Sequence, residues 1–201
     1  MTKHFDNAAA QWDQGDTRQN IAQSVFHTIV SRIALDNTMN IMDFGAGTGL
    51  LSFKIAPIVH SVTGVDLSEK MLEQITAKNS DTVWVKVACQ NIISEPLVEQ
   101  FNGIVSSMAM HHVEDTASLF KTFYSHLKRG GFVALADLEA EDGSFHSHGN
   151  EGVCHFGFER DGLRDTMEKA GFTNVRFHHA YTVEKETQNY PIFVVTAVKN
   201  Q

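Results

Sequence analysis

The residues of this sequence best suited to hold a ligand are three glycines and two aspartates in its first third. Gly45, Gly47 and Gly49 form a G-x-G-x-G turn between an apolar run and a helical pattern, and Asp43 precedes them. Glycines let the backbone approach a ligand closely, and a following helix offers free N–H groups. Asp66 ends the next apolar run, where a carboxylate can accept hydrogen bonds from both hydroxyls of a ribose. These residues predict a site for a nucleotide-like cofactor; on the alternative interpretation they form only turns and caps.

Histidines supply a second kind of chemistry. The chain has 11 of them, and His111 and His112 follow an apolar run, while His146 lies in the long segment 139–159. Imidazoles can transfer protons near neutral pH. We therefore predict His112 and His146 as catalytic candidates. The alternative for His112 is a packing or capping role, and for His146 it is an incidental position in a polar lid.

The segment 139–159 also raises the question of a metal site. His146, His148, Cys154 and His155 are all possible ligands. Their spacing matches no standard zinc pattern, and no Cys-x-x-Cys is present. The sequence therefore predicts no metal ion here.

Alternating apolar runs and amphipathic stretches must position these residues. The pattern predicts helices over 17–35, 49–59, 68–78, 116–128 and 160–170. It predicts strands over 40–45, 61–67, 83–88, 102–106, 132–138, 174–183 and 192–198. Strands that alternate with helices indicate an α/β fold, a mostly parallel sheet with helices on both faces. The last two strands are close enough in sequence to form an antiparallel hairpin at one edge.

Polar residues mark the predicted helix ends. Asp16 or Thr17 is expected to cap the first of these helices, Ser68 the third and Asp115 the fourth. The run 128–131, Lys-Arg-Gly-Gly, is a typical helix stop with cations near the last carbonyl groups. Segment 139–159 fits neither pattern, and long connections of this kind are usually functional.

Composition narrows the classes of function. The 201 residues suit a single domain over 1–201, and the formal net charge of −8 without a basic cluster argues against a nucleic-acid partner. No apolar stretch is long enough for a bilayer, and the first residues resemble no signal peptide, so we expect no membrane partner. Two cysteines form no disulfide framework, which favours the cytoplasm. The oligomeric state is left open.

At residues 38–138 the sequence resembles the class I S-adenosylmethionine-dependent methyltransferases. The resemblance rests on the G-x-G-x-G turn, since dinucleotide dehydrogenases favour G-x-G-x-x-G, and on the segments 62–72, 101–113 and 128–138. It implies a Rossmann-like fold of seven strands, the last one antiparallel. It also implies S-adenosylmethionine as the cofactor.

The resemblance further implies which residues bind this cofactor. Asp43 and the turn would hold the methionine part, Asp66 the ribose, and residues after the fourth strand the sulfonium end. The implied cofactor-binding set is Asp43, Gly45, Ala46, Gly47, Gly49, Asp66, Leu67, Met71, Gln90, Asn91, Ser107 and Met108. Gln90 and Asn91 stand where the family often has an aspartate, so any adenine contact there would be made by an uncharged amide.

Two further segments are candidates for the acceptor side. Residues 1–37 are expected to form a helical lid that includes Trp12, and 139–159 a substrate loop that includes Phe145 and His155. The sequence thus predicts methyl transfer to a small-molecule acceptor. Two alternatives stay open: a non-catalytic S-adenosylmethionine-binding protein and an NAD-dependent oxidoreductase.

Overall fold

The fold is a seven-stranded sheet with helices on both faces. The computed structural model describes residues 2–146, 149–186 and 188–200; His148, considered above as a metal ligand, lies outside them. The strands are β1 (Asn40–Phe44), β2 (Ser61–Asp66), β3 (Val85–Cys89), β4 (Phe101–Ser107), β5 (Leu127–Leu138), β6 (Phe172–Glu184) and β7 (Asn189–Lys199). Their order in the sheet is β3-β2-β1-β4-β5-β7-β6.

The helices precede, follow and connect these strands. They are α1 (Thr2–Ala8), α2 (Asp16–Arg32), α3 (Ser52–Ile55), α4 (Glu69–Lys78), α5 (Thr116–His126) and α6 (Arg160–Lys169), with short 3₁₀ helices at Ala9–Gln14 and Met110–His112. Within the described part of the chain, no helix is long and apolar enough to cross a membrane.

The pairing of the strands confirms the predicted topology. β1 to β5 pair in parallel, and β7 runs antiparallel between β5 and β6. The predicted hairpin of the last two strands is therefore present, with β6 at the edge. Because parallel strands carry their carboxyl ends to one edge of the sheet, the residues after β1, β2 and β4 meet there.

Two apolar cores hold the helices onto the sheet. Successive side chains of a strand point to opposite faces, so Ile41 joins the core under α2, α3 and α4, while Met42 joins the core under α5 and α6. One face of α2 supplies Ile21, Val25 and Ile29 to the first core. Both faces of the central strands are thus buried, as expected for a parallel sheet.

Two predictions about helix ends differ from the structure, and two are confirmed. The helix expected over 49–59 is only α3, because the glycine turn extends to its start and Pro57 cannot donate a backbone hydrogen bond at its end. The cap of α2 is Gly15, not Asp16 or Thr17, since Asp16 already has helical geometry. The caps at Ser68 and Asp115 are confirmed by side-chain hydrogen bonds.

The predicted helix stop at 128–131 belongs to β5 instead. α5 ends at His126, and Leu127 already pairs with Phe101 of β4. The chain is therefore already in a strand before Gly130 and Gly131. Lys128 Nζ donates to Asn102 Oδ1 of β4 at 3.1 Å.

Candidate functional site

A cavity of about 430 Å³ opens at the carboxyl ends of β1, β2 and β4. It is walled by the glycine turn, by the segments after β2, β3 and β4, and by the N-terminal residues up to α2. Its volume lies within the usual range for small-molecule sites, roughly 300–1,000 Å³. The candidate residues that line it are Trp12, Asp43, Gly45, Ala46, Gly47, Asp66, Leu67, Met71, Gln90, Asn91, Ser107, Met108 and His112.

The glycine turn joins β1 to β2 through backbone hydrogen bonds. The N–H groups of Gly45 and Ala46 both donate to Val65 O, at 2.8 and 3.0 Å. Gly45 has φ +66°, and a Cβ there would stand 2.2 Å from the Cβ of Ala109. Only glycine fits this position, because both the left-handed backbone and the close neighbour exclude a side chain.

Asp66 fixes the other side of the turn. Its Oδ2 accepts from Gly47 N at 2.8 Å and its Oδ1 from Ser68 N at 2.9 Å. Burial raises the pKa of this carboxyl, and the two backbone hydrogen bonds oppose the change. A carboxylate has about four acceptor positions. Each oxygen therefore keeps capacity for a ligand hydroxyl.

Asp43 is the second carboxyl of the cavity and is 1 % exposed. Its Oδ2 accepts from Ser52 Oγ, the first residue of α3. Burial raises its pKa to about 7, against the effect of the serine hydrogen bond. A cation placed beside it would favour the ionised form.

The segments after β2 and β3 form a half-apolar wall. Leu67 is 47 % exposed although it is a large apolar residue. The amide nitrogen of Gln90 donates to Glu95 O, and Asn91 Oδ1 accepts from Ile93 N. Gln90 Oε1 is therefore the better placed of the two amide oxygens to accept a hydrogen bond from a ligand.

Beyond β4 the cavity floor contains an unusual backbone conformation. Met108 has φ +59°, which non-glycine residues rarely adopt, and its N–H donates to Ala136 O at 2.9 Å. The conformation costs about 1–2 kcal/mol. Such conformations cluster at functional sites.

The N-terminal segment covers one side of the cavity with aromatic rings. Phe5 and Trp12 stack edge to face at 5.8 Å between centroids, and the guanidinium of Arg18 lies 3.9 Å from the centre of the Trp12 ring. All three residues line the cavity. The segment predicted as a lid thus contributes directly to the wall.

Polar contacts anchor this segment to the rest of the protein. Ser68 Oγ donates to Asp6 at 2.6 Å. Asp13 accepts from the Thr48 hydroxyl and forms an ion pair with Lys78. Contacts between partly exposed polar groups contribute little stability each. The cover is therefore attached by weak contacts that can be broken singly.

His112 closes the far end of the cavity. Its Nδ1 donates to Gly152 O at 2.8 Å, and the Phe5 ring lies 5.2 Å away. Burial and the neighbouring His111 lower its pKa to about 4. The ring is therefore neutral at neutral pH, and with its proton on Nδ1 the other nitrogen, Nε2, is an acceptor.

Four predicted site residues do not line the cavity. Gly49 packs against Phe53 and Ile75. The Phe145 ring packs against Tyr190. The His155 ring packs against Phe158, and its Nε2 donates to Val113 O at 2.9 Å. His146 lies behind His112, with 6.1 Å between ring centroids.

Sequence reasoning missed a buried pair beside this end of the cavity. His111 Nδ1 donates to Asp137 Oδ1 at 2.7 Å, and both side chains are buried. Burial alone would lower the pKa of His111, but the Asp137 carboxylate and hydrogen bond raise it overall. The available signal was the single acidic residue in the apolar run of β5.

The residues present fit the cofactor that the sequence resemblance implies. Asp66 keeps one acceptor position on each oxygen for a ribose diol, and Asp43 offers a buried carboxyl for an ammonium. Of the residues that the structure describes, none would come within 4 Å of a Cβ added at Gly47, so the turn borders open space.

Comparison with known proteins gives the same classification. The profile of a family described as methyltransferase domain matches residues 18–176, most of the chain. An uncharacterized methyltransferase of Schizosaccharomyces pombe is 29% identical over 153 residues, covering 68% of this chain and 54% of the relative. Another, from Geobacillus, is 24% identical and covers 97% of this chain and 96% of the relative. The chain spans about half the length of the first curated relatives it matches.

Solved structures share the fold. Magnesium protoporphyrin IX methyltransferase from Synechocystis, crystallised with S-adenosylhomocysteine, superimposes with a TM-score of 0.71 at 19% identity. The alignment covers 91% of this chain and 83% of that one.

Proposed function

Because the chain belongs to the class I S-adenosylmethionine-dependent methyltransferases, we propose that it transfers the methyl group of S-adenosylmethionine to a small-molecule acceptor. The observation that carries this proposal is a single cavity that joins the glycine turn and Asp66 to the aromatic cover of Phe5 and Trp12. One end suits a nucleoside, and the other end suits a second, smaller ligand.

The first end binds the cofactor through fixed hydrogen-bond partners. Asp66 accepts from the ribose hydroxyls, and ionised Asp43 faces the ammonium of the amino-acid part. Leu67 and Met71 contact the adenine, and Gln90 Oε1 accepts from its amino group. Ala46, Gly47, Ser107 and Met108 enclose the remainder.

The second end aligns the acceptor. The bound cofactor supplies a methyl carbon activated by the neighbouring sulfonium. The protein then has to hold the acceptor in line and exclude water, which can be worth roughly 7–11 kcal/mol. Trp12 and Phe5 provide apolar walls for this purpose, and residues 1–37 act as the lid.

His112 and His146 remain our catalytic candidates at this end. His112 lines the cavity, so its ring can contact the acceptor, and the ring of His146 lies next to it with 6.1 Å between centroids. With a pKa of about 4, His112 is a weak proton acceptor at neutral pH. Phe145 and His155 are assigned to holding the substrate loop 139–159 against the protein.

We further propose that the acceptor is not a nucleic acid and that the protein is cytoplasmic; net charge and the two cysteines support this. A net charge of −8 disfavours a nucleic-acid substrate. Cys89 and Cys154 are both free thiols, as expected of a protein in the reducing cytoplasm. A small acceptor also fits an end of the cavity closed by Phe5, Trp12 and Arg18.

Calorimetry followed by a turnover assay tests the proposal. S-adenosylhomocysteine should bind with one site per chain, and NAD should not bind. Release of S-adenosylhomocysteine from S-adenosylmethionine should then be measured with a panel of alcohols, phenols, amines and thiols. Binding of NAD in place of S-adenosylhomocysteine would contradict the cofactor assignment. Binding without turnover on any acceptor would favour a non-catalytic binding protein.

A further inference from the structure

Beside the cavity, His111 and His146 each have a buried nitrogen without a hydrogen-bond partner among the described residues. Among the residues that the structure describes, the buried side-chain nitrogen and oxygen atoms without a partner are His111 Nε2, Glu141 Oε1 and His146 Nδ1. Buried polar atoms are nearly always paired, so each exception calls for an explanation such as an ion or a water. The ring centroids of His111 and His146 are 5.3 Å apart, so their two nitrogens call for a shared explanation.

The three histidines of this region face one another. The ring centroids of His111 and His112 are 4.1 Å apart, and that of His146 lies 5.3 Å from His111. One nitrogen from each ring lies within 4.8 Å of the other two. Zinc–nitrogen bonds of about 2.0–2.1 Å place tetrahedral ligand atoms roughly 3.4 Å apart. Small side-chain rotations would therefore bring the three nitrogens around one ion.

Hydrogen bonds determine which nitrogen each ring leaves free. Asp137 accepts from Nδ1 of His111, and Gly152 O accepts from Nδ1 of His112. Both rings thus direct Nε2 away from these partners. Asp137 is itself fixed by the N–H groups of His111 and Leu138. A histidine oriented by a carboxylate or a carbonyl group is the common arrangement around bound metals.

A purely structural role explains only part of this cluster. The pairing with Asp137 accounts for the position of the His111 ring. Among the described residues, it leaves His111 Nε2 and His146 Nδ1 buried and without a partner. Phe5 packs on the His112 side and supplies no polar atom that could satisfy them.

We propose that His111 Nε2, His112 Nε2 and His146 Nδ1 bind one divalent transition-metal ion, with zinc as the representative case. Three imidazole ligands suit zinc and leave a fourth coordination position open. Because His112 also lines the cavity, that position is available to an oxygen, nitrogen or sulfur atom of a ligand there. Coordination of the methyl acceptor by the ion rests on the proposed function, whereas metal binding itself does not.

Metal titration of the untagged, chelator-treated full chain tests the site directly. Zn²⁺ in calorimetry should bind with one equivalent per chain, and Co²⁺ should give the visible absorption of a tetrahedral complex. His146→Ala should weaken binding at least about 100-fold, the upper limit for loss of an outer-shell partner. Asp137→Asn should weaken it by about 10–100-fold. The control is His60→Ala, which removes an exposed histidine elsewhere and should leave affinity unchanged.

Two readouts separate this proposal from folding defects and from the cofactor assignment. Circular dichroism should show His146→Ala folded, since His146 lies in a loop, and the variant should still bind S-adenosylhomocysteine. Absence of stoichiometric metal, or equal affinity in the wild type and His146→Ala, would overturn the metal site. A wild-type protein that binds the metal but does not bind S-adenosylhomocysteine would instead overturn the proposed function and leave the metal site standing.

Discussion

The two ends of the cavity are built in different ways. The end around Asp66 consists of strand termini and a glycine turn, held by backbone hydrogen bonds from Gly45, Ala46 and Gly47. The end around His112 is assembled from the N-terminal segment, the turn after β4 and the segment 139–159. These segments meet through side-chain contacts and through two backbone hydrogen bonds, from Cys154 N and His155 N to His111 O. The first end is thus determined by the sheet, and the second by segments distant in sequence. The sheet end can therefore remain constant while the other end changes its ligand.

Removing the loop should have the largest effect of the changes proposed here, and it should act on the acceptor end alone. Replacement of 143–155 by a short glycine-serine linker is feasible because Glu141 N donates to Phe156 O at 2.9 Å, so the ends lie side by side. Turnover should fall at least about 100-fold, since misplacement of an acceptor by 1 Å can cost that much. S-adenosylhomocysteine affinity in calorimetry should be unchanged. Replacing the exposed turn 80–82 is the control, and full turnover without the loop would show that it is not part of the acceptor end.

Asp66→Ala tests the opposite end. Loss of charged hydrogen bonds to the ribose should cost about 1–3 kcal/mol of binding free energy. That raises the Kd for S-adenosylhomocysteine by roughly 5–150-fold. Asp81→Ala, an exposed aspartate beyond α4, serves as the matched control. Equal affinities of the Asp66 variant and the wild type would refute the ribose assignment.

Asp43→Asn should show an effect that depends on pH. Above its pKa of about 7 the wild-type carboxylate attracts the cofactor ammonium, so at pH 8 the variant should bind about 1–2 kcal/mol more weakly. At pH 5 the wild-type carboxyl is protonated and the two proteins should bind alike. Calorimetry at both values decides, and a constant difference would mean that Asp43 does not face the ammonium.

The same carboxyl gives a stability prediction with a definite sign. Its pKa is raised on folding from 3.8 to about 7, so the folded state binds more protons between these values. The free energy of unfolding of the wild type should therefore decrease as pH rises through this window. Asp43→Asn, which keeps an oxygen for the Ser52 hydroxyl, should lack this decrease in denaturant titrations.

Asp13→Ala should have the smallest effect. It removes the contacts of the cover to Thr48 and Lys78, which are partly exposed and worth about 0.5–1 kcal/mol. The KM for the acceptor should rise a few-fold, while kcat and S-adenosylhomocysteine affinity change little. The control in the same segment is Gln14→Ala. A kcat that falls as much as kcat/KM would argue against a role limited to closing the cover.

The two ends also differ in how far the sequence predicts them. The glycine turn, Asp66 and the caps at Ser68 and Asp115 depend on local spacing and are placed as expected. The pair of His111 with Asp137 depends on the contact between the 3₁₀ helix after β4 and the end of β5, 26 residues apart. Single-sequence patterns carry no such distance information.

Aromatic residues of the loop illustrate the same limit. Phe145 and His155 were predicted beside a ligand because their loop follows the fifth strand, at the edge where α/β sheets bind ligands. In the structure Phe145 packs on Tyr190 and His155 on Phe158. Burial against the protein's own core competes with ligand contact for the same apolar surface, and a sequence does not reveal which prevails.

The left-handed backbone at Met108 connects the cavity floor to β5 and β7, which contribute no residue to the cavity wall. Its own preference disfavours this geometry, so neighbouring groups must maintain it, and the bond from its N–H to Ala136 O is one of them. Ala136 in turn pairs with Val194 of β7. The shape of the floor is therefore inherited partly from the C-terminal strand, and substitutions there can alter acceptor selectivity without changing any residue that lines the cavity.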